Sequence, residues 1–237
     1  MISTGTEGKK VIIRAIGPTL TDVGIPGALA DPTLDLYQGN TLLFNNDDWR
    51  NSTQQGEIQA SGLAPNKDAE SAIIWTLMPG MYYTAIVRGK NGQTGIAVVE
   101  AFDLDHAAAS KLGNISTRGF VDVDDNVMIA GLIVGSSDGT SLKILVRALG
   151  PTLGDVGVPG ALLDPTLDLV NSSGTVIRSN DNWRDSQPAE IESTGLAPNH
   201  NEESALLETV APGAYTAIVR GNGRTTGVGL VEVYDIP

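Results

Sequence analysis

Short apolar runs recur along the chain, and clusters of Gly, Pro, Asn and Asp separate them. The runs are rich in Val, Ile, Leu and Thr, which between turn-forming residues is typical of β-strands. In the second half of the chain the predicted strands cover residues 118–123, 127–134, 142–148, 167–170, 175–179, 205–210, 214–220 and 227–234. No long helical pattern accompanies them, and we expect at most single helical turns near Glu57, Ala107 and Glu190. This pattern predicts an all-β fold of antiparallel, jelly-roll-like β-sandwich type.

An internal repeat divides the chain into two copies of one domain. The segment Lys10-Val-Ile-Ile-Arg-Ala-Ile-Gly-Pro-Thr-Leu20 returns as Lys143-Ile-Leu-Val-Arg-Ala-Leu-Gly-Pro-Thr-Leu153. Four further segments recur at offsets of 132 to 134 residues: Asp31-Pro-Thr-Leu-Asp-Leu36 at Asp164, Asn46-Asp-Asp-Trp-Arg50 at Asn180, Gly62-Leu-Ala-Pro-Asn66 at Gly195, and Thr84-Ala-Ile-Val-Arg-Gly89 at Thr216. We therefore predict tandem β-sandwich domains at residues 1–105 and 113–237, joined by a linker at residues 106–112.

The first copy is predicted to lack the two strands that open the second copy. Residues 114–135 have no counterpart before Met1. A sandwich without these strands exposes a sheet edge with unpaired backbone N–H and C=O groups, which accepts an added strand. We expect self-association of chains by strand addition at the first copy. The alternatives are that the second copy lends its strands, or that the first copy is a smaller sandwich.

Charge and composition exclude several classes of partner and chemistry. The 237 residues include 15 basic and 28 acidic ones, which gives a formal net charge of −13. Nucleic acid is not expected as a partner, because its phosphates need a basic face. No apolar run reaches the roughly 20 residues of a membrane-spanning helix, so no membrane span is expected. The absence of cysteine excludes disulfides and thiolate chemistry.

Several motifs together resemble the bacterial pre-peptidase C-terminal domains. They are Asn-Asp-Asp after a Gly turn, Glu-Ser-Ala-Ile, and Pro-Gly-x-Tyr-Thr-Ala-x-Val. Asn114-Ile-Ser-Thr-Arg-Gly119, Arg-Ala-x-Gly-Pro and Leu230-Val-Glu-Val-Tyr-Asp235 are similar to tandem repeats of large exported bacterial proteins. The resemblance implies jelly-roll-like sandwiches of secreted or cell-surface proteins, some of which bind calcium and some a matrix. It specifies an architecture better than an activity.

Acidic loop segments are the best candidates for a metal site. Calcium takes roughly six to eight oxygen ligands from Asp, Asn and backbone carbonyls, and the repeated Asp-Pro-Thr-Leu-Asp and Asn-Asp-Asp/Asn-Trp segments supply such groups. The candidate ligands are Asp31, Asp35, Asp47 and Asp48 in the first copy, and Asp164, Asp168, Asp181, Asn182 and Asp185 in the second. The alternative is that these side chains form Asx-turns and cap loops.

Other charged residues recur in both copies and have a structural alternative. Glu70 and Glu203 open the Glu-Ser-Ala segment, where each is a further ligand or a local cap. Two Arg–Glu combinations lie in otherwise apolar strands: Arg14 with Glu100, and Arg147 with Glu232. We interpret them as half-buried structural ion pairs, because buried charges need partners.

Ligand binding has more support than catalysis. Trp49 and Trp183 follow the acidic turns, where they either stack on a sugar or plug the end of their own sandwich. The two histidines, His106 and His200, do not occupy equivalent positions, so zinc and Ser-His-Asp chemistry have little support. The Gly135-Ser-Ser-Asp-Gly139 string is interpreted as a hairpin turn, because it joins two strands and opens no helix.

These observations favour a non-catalytic β-sandwich repeat module of a secreted or cell-surface protein. Its expected role is structural or adhesive, with a glycan or a matrix as the expected partner and calcium as the expected stabilising cofactor. The first alternative is a carbohydrate-binding module that uses Trp49 and Trp183. A hydrolase that uses loop carboxylates is the second alternative, since a glycosidase needs only two of them at a suitable separation.

Overall fold

The computed structural model describes residues 1–135 and 139–236, which form two compact units, residues 1–113 and 114–237. Nearly all regular structure in each unit is antiparallel β-sheet, so the predicted all-β fold is confirmed. The hairpin turn predicted at residues 135–139 falls on Ser136, Ser137 and Asp138, which lie outside the described residues.

The described residues contain fifteen strands and four short α-helices. The strands are β1 (Ile2–Gly5), β2 (Lys9–Ile16), β3 (Pro32–Gln38), β4 (Thr41–Asn46), β5 (Ser71–Leu77), β6 (Tyr83–Gly89), β7 (Val98–Asp103), β8 (Ser110–Val121), β9 (Met128–Val134), β10 (Leu142–Leu149), β11 (Pro165–Asn171), β12 (Val176–Asn180), β13 (Ser204–Val210), β14 (Gly213–Gly221) and β15 (Gly227–Ile236). The helices are α1 (Pro18–Asp22), α2 (Gln55–Ala60), α3 (Pro151–Asp155) and α4 (Pro188–Ser193). Single 3₁₀ turns lie at Trp49–Asn51, Lys90–Gly92, Trp183–Asp185 and Asn222–Arg224.

The second unit is a sandwich of two four-stranded antiparallel sheets. One sheet has the strand order β8-β15-β10-β13, and the other has the order β12-β11-β14-β9. Alternate residues of each strand point to the same face of a sheet, and the apolar ones meet between the two sheets. Val146, Leu167, Leu169, Leu206 and Val219 are buried in this core.

The first unit repeats this plan with fewer strands. Its sheets have the orders β5-β2-β7 and β4-β3-β6. Strand β2 pairs with β5 and β7 in the register in which β10 pairs with β13 and β15, so Glu100 stands opposite Arg14 as Glu232 stands opposite Arg147. The core residues include Val11, Ile13, Leu34, Leu36 and Ile73.

A short strand before β2 was not predicted from the sequence. Strand β1 places Ile2 opposite Tyr82, as β9 places Ile133 opposite the equivalent residue, Ala214. The Tyr83 N–H donates to the Met1 carbonyl at 3.1 Å, and Ser3 is fully buried. The first copy therefore has a short counterpart of the second leading strand and none of the first. Strand β1 was not predicted because four residues are too few for an alternation to be recognised.

A second apolar layer lies on the outer face of the β5-β2-β7 sheet. Ile12 and Ile74 point away from the main core and pack against Trp49 and Ile58, which come from the 3₁₀ turn and α2. Burial on both faces explains why Val11-Ile-Ile13 is a continuous apolar run instead of an alternating one. The second unit has the same layer around Trp183 and Ile191.

The segment predicted as a linker, residues 106–112, contains the start of β8. Residues 106–109 form turns and bends, and β8 begins at Ser110. The first residues of β8 lie beside β1, where the Thr6 N–H donates to the Ala109 carbonyl at 3.2 Å.

None of the helices formed by the described residues is long and apolar enough to traverse a bilayer.

Candidate functional site

The buried glutamates at the start of β5 and β13 are saturated with hydrogen bonds. Glu203 is fully buried and accepts from the backbone N–H groups of Gly150, Thr152 and His200, and from the Thr152 hydroxyl. Glu70 accepts from the equivalent groups of the first copy, including the Thr19 N–H at 2.8 Å. Each carboxylate thus fastens the start of a one-turn helix to the sheet, and both oxygens are used in that role.

The repeated arginines and glutamates form the predicted structural ion pairs. Arg14 donates to Glu100 through Nε at 3.0 Å and through Nη2 at 2.5 Å, and its Nη1 donates to the Leu63 carbonyl at 2.8 Å. Its guanidinium lies 5.0 Å from the Phe102 ring centroid.

The second-copy pair is bonded in the same way and is more buried. Arg147 donates to Glu232 through two nitrogens and to the Leu196 carbonyl. Tyr234 adds a hydroxyl that donates to Glu232 at 3.0 Å and accepts from Arg147 at 3.1 Å. Burial raises the pKa of this phenol, and the neighbouring Glu232 carboxylate raises it further. The prediction of a half-buried ion pair is confirmed in both copies.

Both tryptophans belong to the second apolar layer. Trp49 is 2% exposed and Trp183 is 1% exposed. Their indole N–H groups donate to the carbonyls of Lys67 and His200, at 3.1 and 3.0 Å. A guanidinium lies over each ring, Arg50 at 4.3 Å and Arg184 at 4.1 Å from the centroids. The rings are therefore not presented to solvent as a stacking platform for a sugar would be, and their placement fits the alternative that each plugs its own sandwich.

Three of the first-copy calcium candidates lie close to one another. Carboxylate oxygens of Asp31, Asp47 and Asp48, which we call the first-copy acidic cluster, lie within 4.8 Å of one another. The ammonium group of Lys90 lies among them, 2.7 Å from Asp47 Oδ2 and 3.5 Å from Asp31 Oδ2. The hydrogen bond to Asp47 raises the pKa of Lys90, and the charge of Asp31 adds to this effect. A lysine therefore supplies the positive charge in the first copy.

The second copy has asparagine at the position of this lysine. Asn222 follows the shared Thr-Ala-Ile-Val-Arg-Gly segment directly, as Lys90 does. Its amide donates to Asp164 Oδ2 at 3.0 Å and to both oxygens of Asp181 at 3.3 and 3.4 Å. Burial raises the pKa of Asp181, and the charges of Asp164 and Asp185 raise it further. Asp164, Asp181 and Asp185 are called the second-copy acidic cluster. The charges of Asp164 and Asp185 both repel the ionised Asp181 carboxylate, and an asparagine takes the place of the first-copy lysine beside it.

Unsatisfied oxygens accompany both clusters. Among the described residues, the buried Oδ1 atoms of Asp31, Asp47 and Asp164 have no hydrogen-bond donor. A buried carboxylate oxygen without a donor is costly, and a cation removes that cost. Asn182 donates its amide to Asp185 at 3.2 Å and so lies at the rim of the second-copy acidic cluster.

The remaining calcium candidates lie elsewhere. Asp35 on β3 pairs with Arg88 at 2.6 Å, and Asp168 on β11 pairs with Arg220 at the same distance. Ser179 also donates to Asp168, at 2.5 Å. The structure therefore separates these two aspartates from the acidic clusters and gives each an arginine partner.

Lys90 and Asn222 were not predicted as site residues from the sequence. Both come from the loop after β6 or β14, far along the chain from the aspartates that they contact. A comparison of the two repeats could have identified both residues. Lys90 and Asn222 differ, although they directly follow identical Thr-Ala-Ile-Val-Arg-Gly segments.

The histidines have dissimilar surroundings. His106 is exposed, and its Nδ1 lies 3.6 Å from Asp103. His200 Nε2 lies 2.7 Å from Asp155 Oδ2, and this hydrogen bond raises the pKa of His200. Each imidazole thus faces a carboxylate on the surface of a different unit, which is an ordinary ion-pair arrangement.

Comparison with known proteins finds resemblance among solved structures. The pre-peptidase C-terminal domain of collagenase from Bacillus anthracis is similar, with 15% sequence identity and a TM-score of 0.32, over 51% of this chain and 88% of that chain. The VP2 subviral particle of infectious bursal disease virus has 10% identity and a TM-score of 0.20, over 98% of this chain and 58% of that chain. No protein-family model matches the chain, and neither does any curated protein.

Proposed function

We propose that this chain is a non-catalytic, tandem β-sandwich module of a secreted or cell-surface protein. Its role is structural or adhesive, and calcium stabilises its second copy. The observation that supports this proposal is the use of the polar residues that both copies share. These residues form hydrogen bonds and ion pairs inside their own copy.

The shared polar residues are fixed in ways that suit a scaffold. Glu203 has four donors, and Arg147 is held by a carboxylate, a carbonyl and a phenol. Ser204 lies within hydrogen-bond distance of the carbonyls of Pro165, Asn180 and Asp181. A general acid, base or nucleophile must instead reach a substrate atom. A polar network that both copies share in this form stabilises each sandwich. We therefore expect any binding role to belong to residues on the surface.

Calcium is proposed for the second copy because its donor set fits that ion. Asp164 and Asp181 provide hard oxygens 3.0 and 3.3 Å from the Asn222 amide nitrogen, and the charge of Asp185 acts on Asp181. The Asn222 side chain adds an amide oxygen if the amide turns over. The first-copy acidic cluster does not fit an ion as it stands, because the Lys90 ammonium lies among its oxygens. We therefore assign one calcium to the chain, held by the second copy.

Thermal unfolding tests the calcium proposal. An ion that binds only the folded state stabilises that state by mass action, so millimolar calcium should raise the unfolding midpoint relative to chelator. Asp181→Ala should abolish the shift, and Asn222→Lys should abolish it too by placing an ammonium where the first copy has one. Asp168→Asn, outside the clusters, is the matched control and should keep the shift. Equal midpoints for the unchanged chain in calcium and in chelator would contradict the proposal.

The non-catalytic proposal has its own test. We expect no turnover in a broad screen of glycosidase, esterase and peptidase substrates, because the shared buried glutamates Glu70 and Glu203 already accept hydrogen bonds through both of their oxygens. One result would contradict the non-catalytic proposal. It is hydrolysis that the Asp47→Asn variant retains and that a folded Glu203→Gln or Glu70→Gln variant loses. A glycan array tests the binding role separately, and a signal lost on Trp183→Leu would restore the carbohydrate-binding alternative.

A further inference from the structure

Strand β7 ends the first-unit sheet with a free edge. Strand β2 occupies one side of β7, and no strand among residues 1–135 and 139–236 pairs with its other side. In the second unit the equivalent strand, β15, carries β8 on that side. The two copies thus differ in one strand at an otherwise equivalent position.

The backbone at the two edges is alike in sequence and in register. Strand β7 reads Val98-Val-Glu-Ala-Phe-Asp103, and its counterpart in β15 reads Leu230-Val-Glu-Val-Tyr-Asp235. Both hold the same pairing with the central strand of their sheet. A strand that fits the outer side of β15 therefore meets the same hydrogen-bonding pattern on β7.

Burial shows that β7 lacks such a strand. Val231 on β15 is 1% exposed, whereas the equivalent Val99 on β7 is 42% exposed. Its neighbour Val98 is 40% exposed and borders a cavity of about 220 Å³ that Ile16, Leu20 and Arg14 also line. An apolar strand residue with two-fifths of its surface in water, beside an open backbone edge, is a point where another strand gains both hydrogen bonds and burial.

The second unit identifies the chemistry of the strand that fits. Residues 114–121 of β8, Asn-Ile-Ser-Thr-Arg-Gly-Phe-Val, run antiparallel to β15 with Thr117 opposite Val231 and Ser116 opposite Glu232. This segment carries one positive charge, whereas residues 1–105 contain 7 basic and 12 acidic residues. The acceptor and this strand are therefore complementary in charge as well as in register.

We propose that the outer edge of β7 binds, in trans, an antiparallel strand with the opening sequence of the repeat itself. The strand takes the β8 register, with its Thr117 position opposite Val99 and its Ser116 position opposite Glu100. This inference rests on the proposed module function and names the partner of its binding role, an unpaired opening strand of another repeat of this kind. It makes no use of calcium.

Cross-linking reads out both binding and register, because the chain has no cysteine of its own. The protein is the full chain with Val99→Cys, and the probe is a synthetic peptide of residues 114–121 with Thr117→Cys. Directly opposite residues of antiparallel strands bring their Cβ atoms close enough for a disulfide, and neighbouring residues point to the other face. We expect the Thr117→Cys peptide to cross-link about ten-fold faster than peptides with Ser116→Cys or Arg118→Cys.

Matched controls separate this result from non-specific capture. Ile177→Cys on β12 has nearly the same exposure, 41%, and should react equally slowly with all three peptides. The experiment is run in chelator, so a failed calcium proposal leaves it intact, and a failed cross-link leaves the calcium result intact. Equal cross-linking rates of the three peptides with the Val99→Cys chain would overturn the inference. Preferential formation of a disulfide-linked dimer of the Val99→Cys chain, with no effect of peptide, would also overturn it in favour of edge-to-edge pairing of two chains.

Discussion

At the scale of single residues, the two copies keep their internal polar network and differ in charge beside the acidic clusters. The Arg147–Glu232 pair and the buried Glu203 have counterparts in the first copy, although the hydrogen bonds of the Tyr234 hydroxyl belong to the second copy. Lys90 is replaced by Asn222. The sequence predicted the ion pairs because a charged residue inside an apolar strand needs a partner. It did not predict which aspartates lie close together. Asp35 and Asp168 form ion pairs with arginines on a neighbouring strand, and that pairing follows from the strand register, which the sequence does not show.

The Arg147–Glu232 pair should show strong coupling between its partners. Both side chains are largely buried, at 13% and 11% exposure. Arg147→Met alone leaves the Glu232 carboxylate without its partner and should destabilise by about 3–5 kcal/mol, whereas Arg147→Met with Glu232→Leu should cost much less. Chemical denaturation of the single and double variants measures this difference. The first-copy variants Arg14→Met and Glu100→Leu are the internal comparison, with weaker coupling because Glu100 is 29% exposed. Additive effects of the two substitutions would show that the residues are not a buried pair.

Asp181 should have opposite effects with and without calcium. Its folded-state pKa is raised, so the folded protein binds a proton there more readily than the unfolded one, and the ionised carboxylate costs stability as pH rises toward neutral. Asp181→Asn removes this charge and should raise the unfolding midpoint in chelator at pH 7, with the gain fading toward pH 4. The same variant should lose the calcium-dependent rise. A lower midpoint in chelator at pH 7 would contradict the proposed repulsion.

At the scale of elements, the shared Arg-Ala-x-Gly-Pro motif is a strand end followed by a one-turn helix. Pro18 and Pro151 begin α1 and α3, where a proline loses no hydrogen bond. A Cβ on Gly150 would lie 1.9 Å from the Leu162 carbonyl oxygen, and one on Gly17 would lie 2.1 Å from that of Leu29. The sequence predicted the strands because alternation and turn residues delimit them. It missed α1, α3 and β1, because four or five residues carry no recognisable period.

Gly150→Ala therefore tests the packing of this element. The added methyl group meets a backbone oxygen, which has no side-chain freedom to move aside, and should destabilise the second unit by about 1–3 kcal/mol. Gly56→Ala is the control, because α2 has open space at that position and alanine favours a helix. Denaturation curves should show a loss for the first variant and no loss for the second. Equal stability of Gly150→Ala and the unchanged chain would contradict the close approach.

At the scale of the whole molecule, one repeat plan is used twice with different surroundings. The repeat and the all-β class followed from the sequence alone, since long identical segments recur at a nearly constant offset. The division between the two compact units falls between residues 113 and 114, and β8 begins at Ser110, inside the segment predicted as a linker. The free β7 edge belongs to the first unit, and the acidic cluster without a lysine belongs to the second. Among the described residues, the first copy therefore has an unpaired side on β7, and the second copy has an asparagine where the first has Lys90.

The number of calcium ions bound by the intact chain tests this account most directly. Isothermal titration of the unchanged protein should give one calcium per chain, because the Lys90 ammonium lies among the oxygens of the first-copy acidic cluster, whereas Asn222 brings no positive charge to the second-copy acidic cluster. Asn222→Lys should reduce the number to none, and Lys90→Asn should raise it to two. No binding by the unchanged chain, or one ion still bound after Asn222→Lys, would contradict the account.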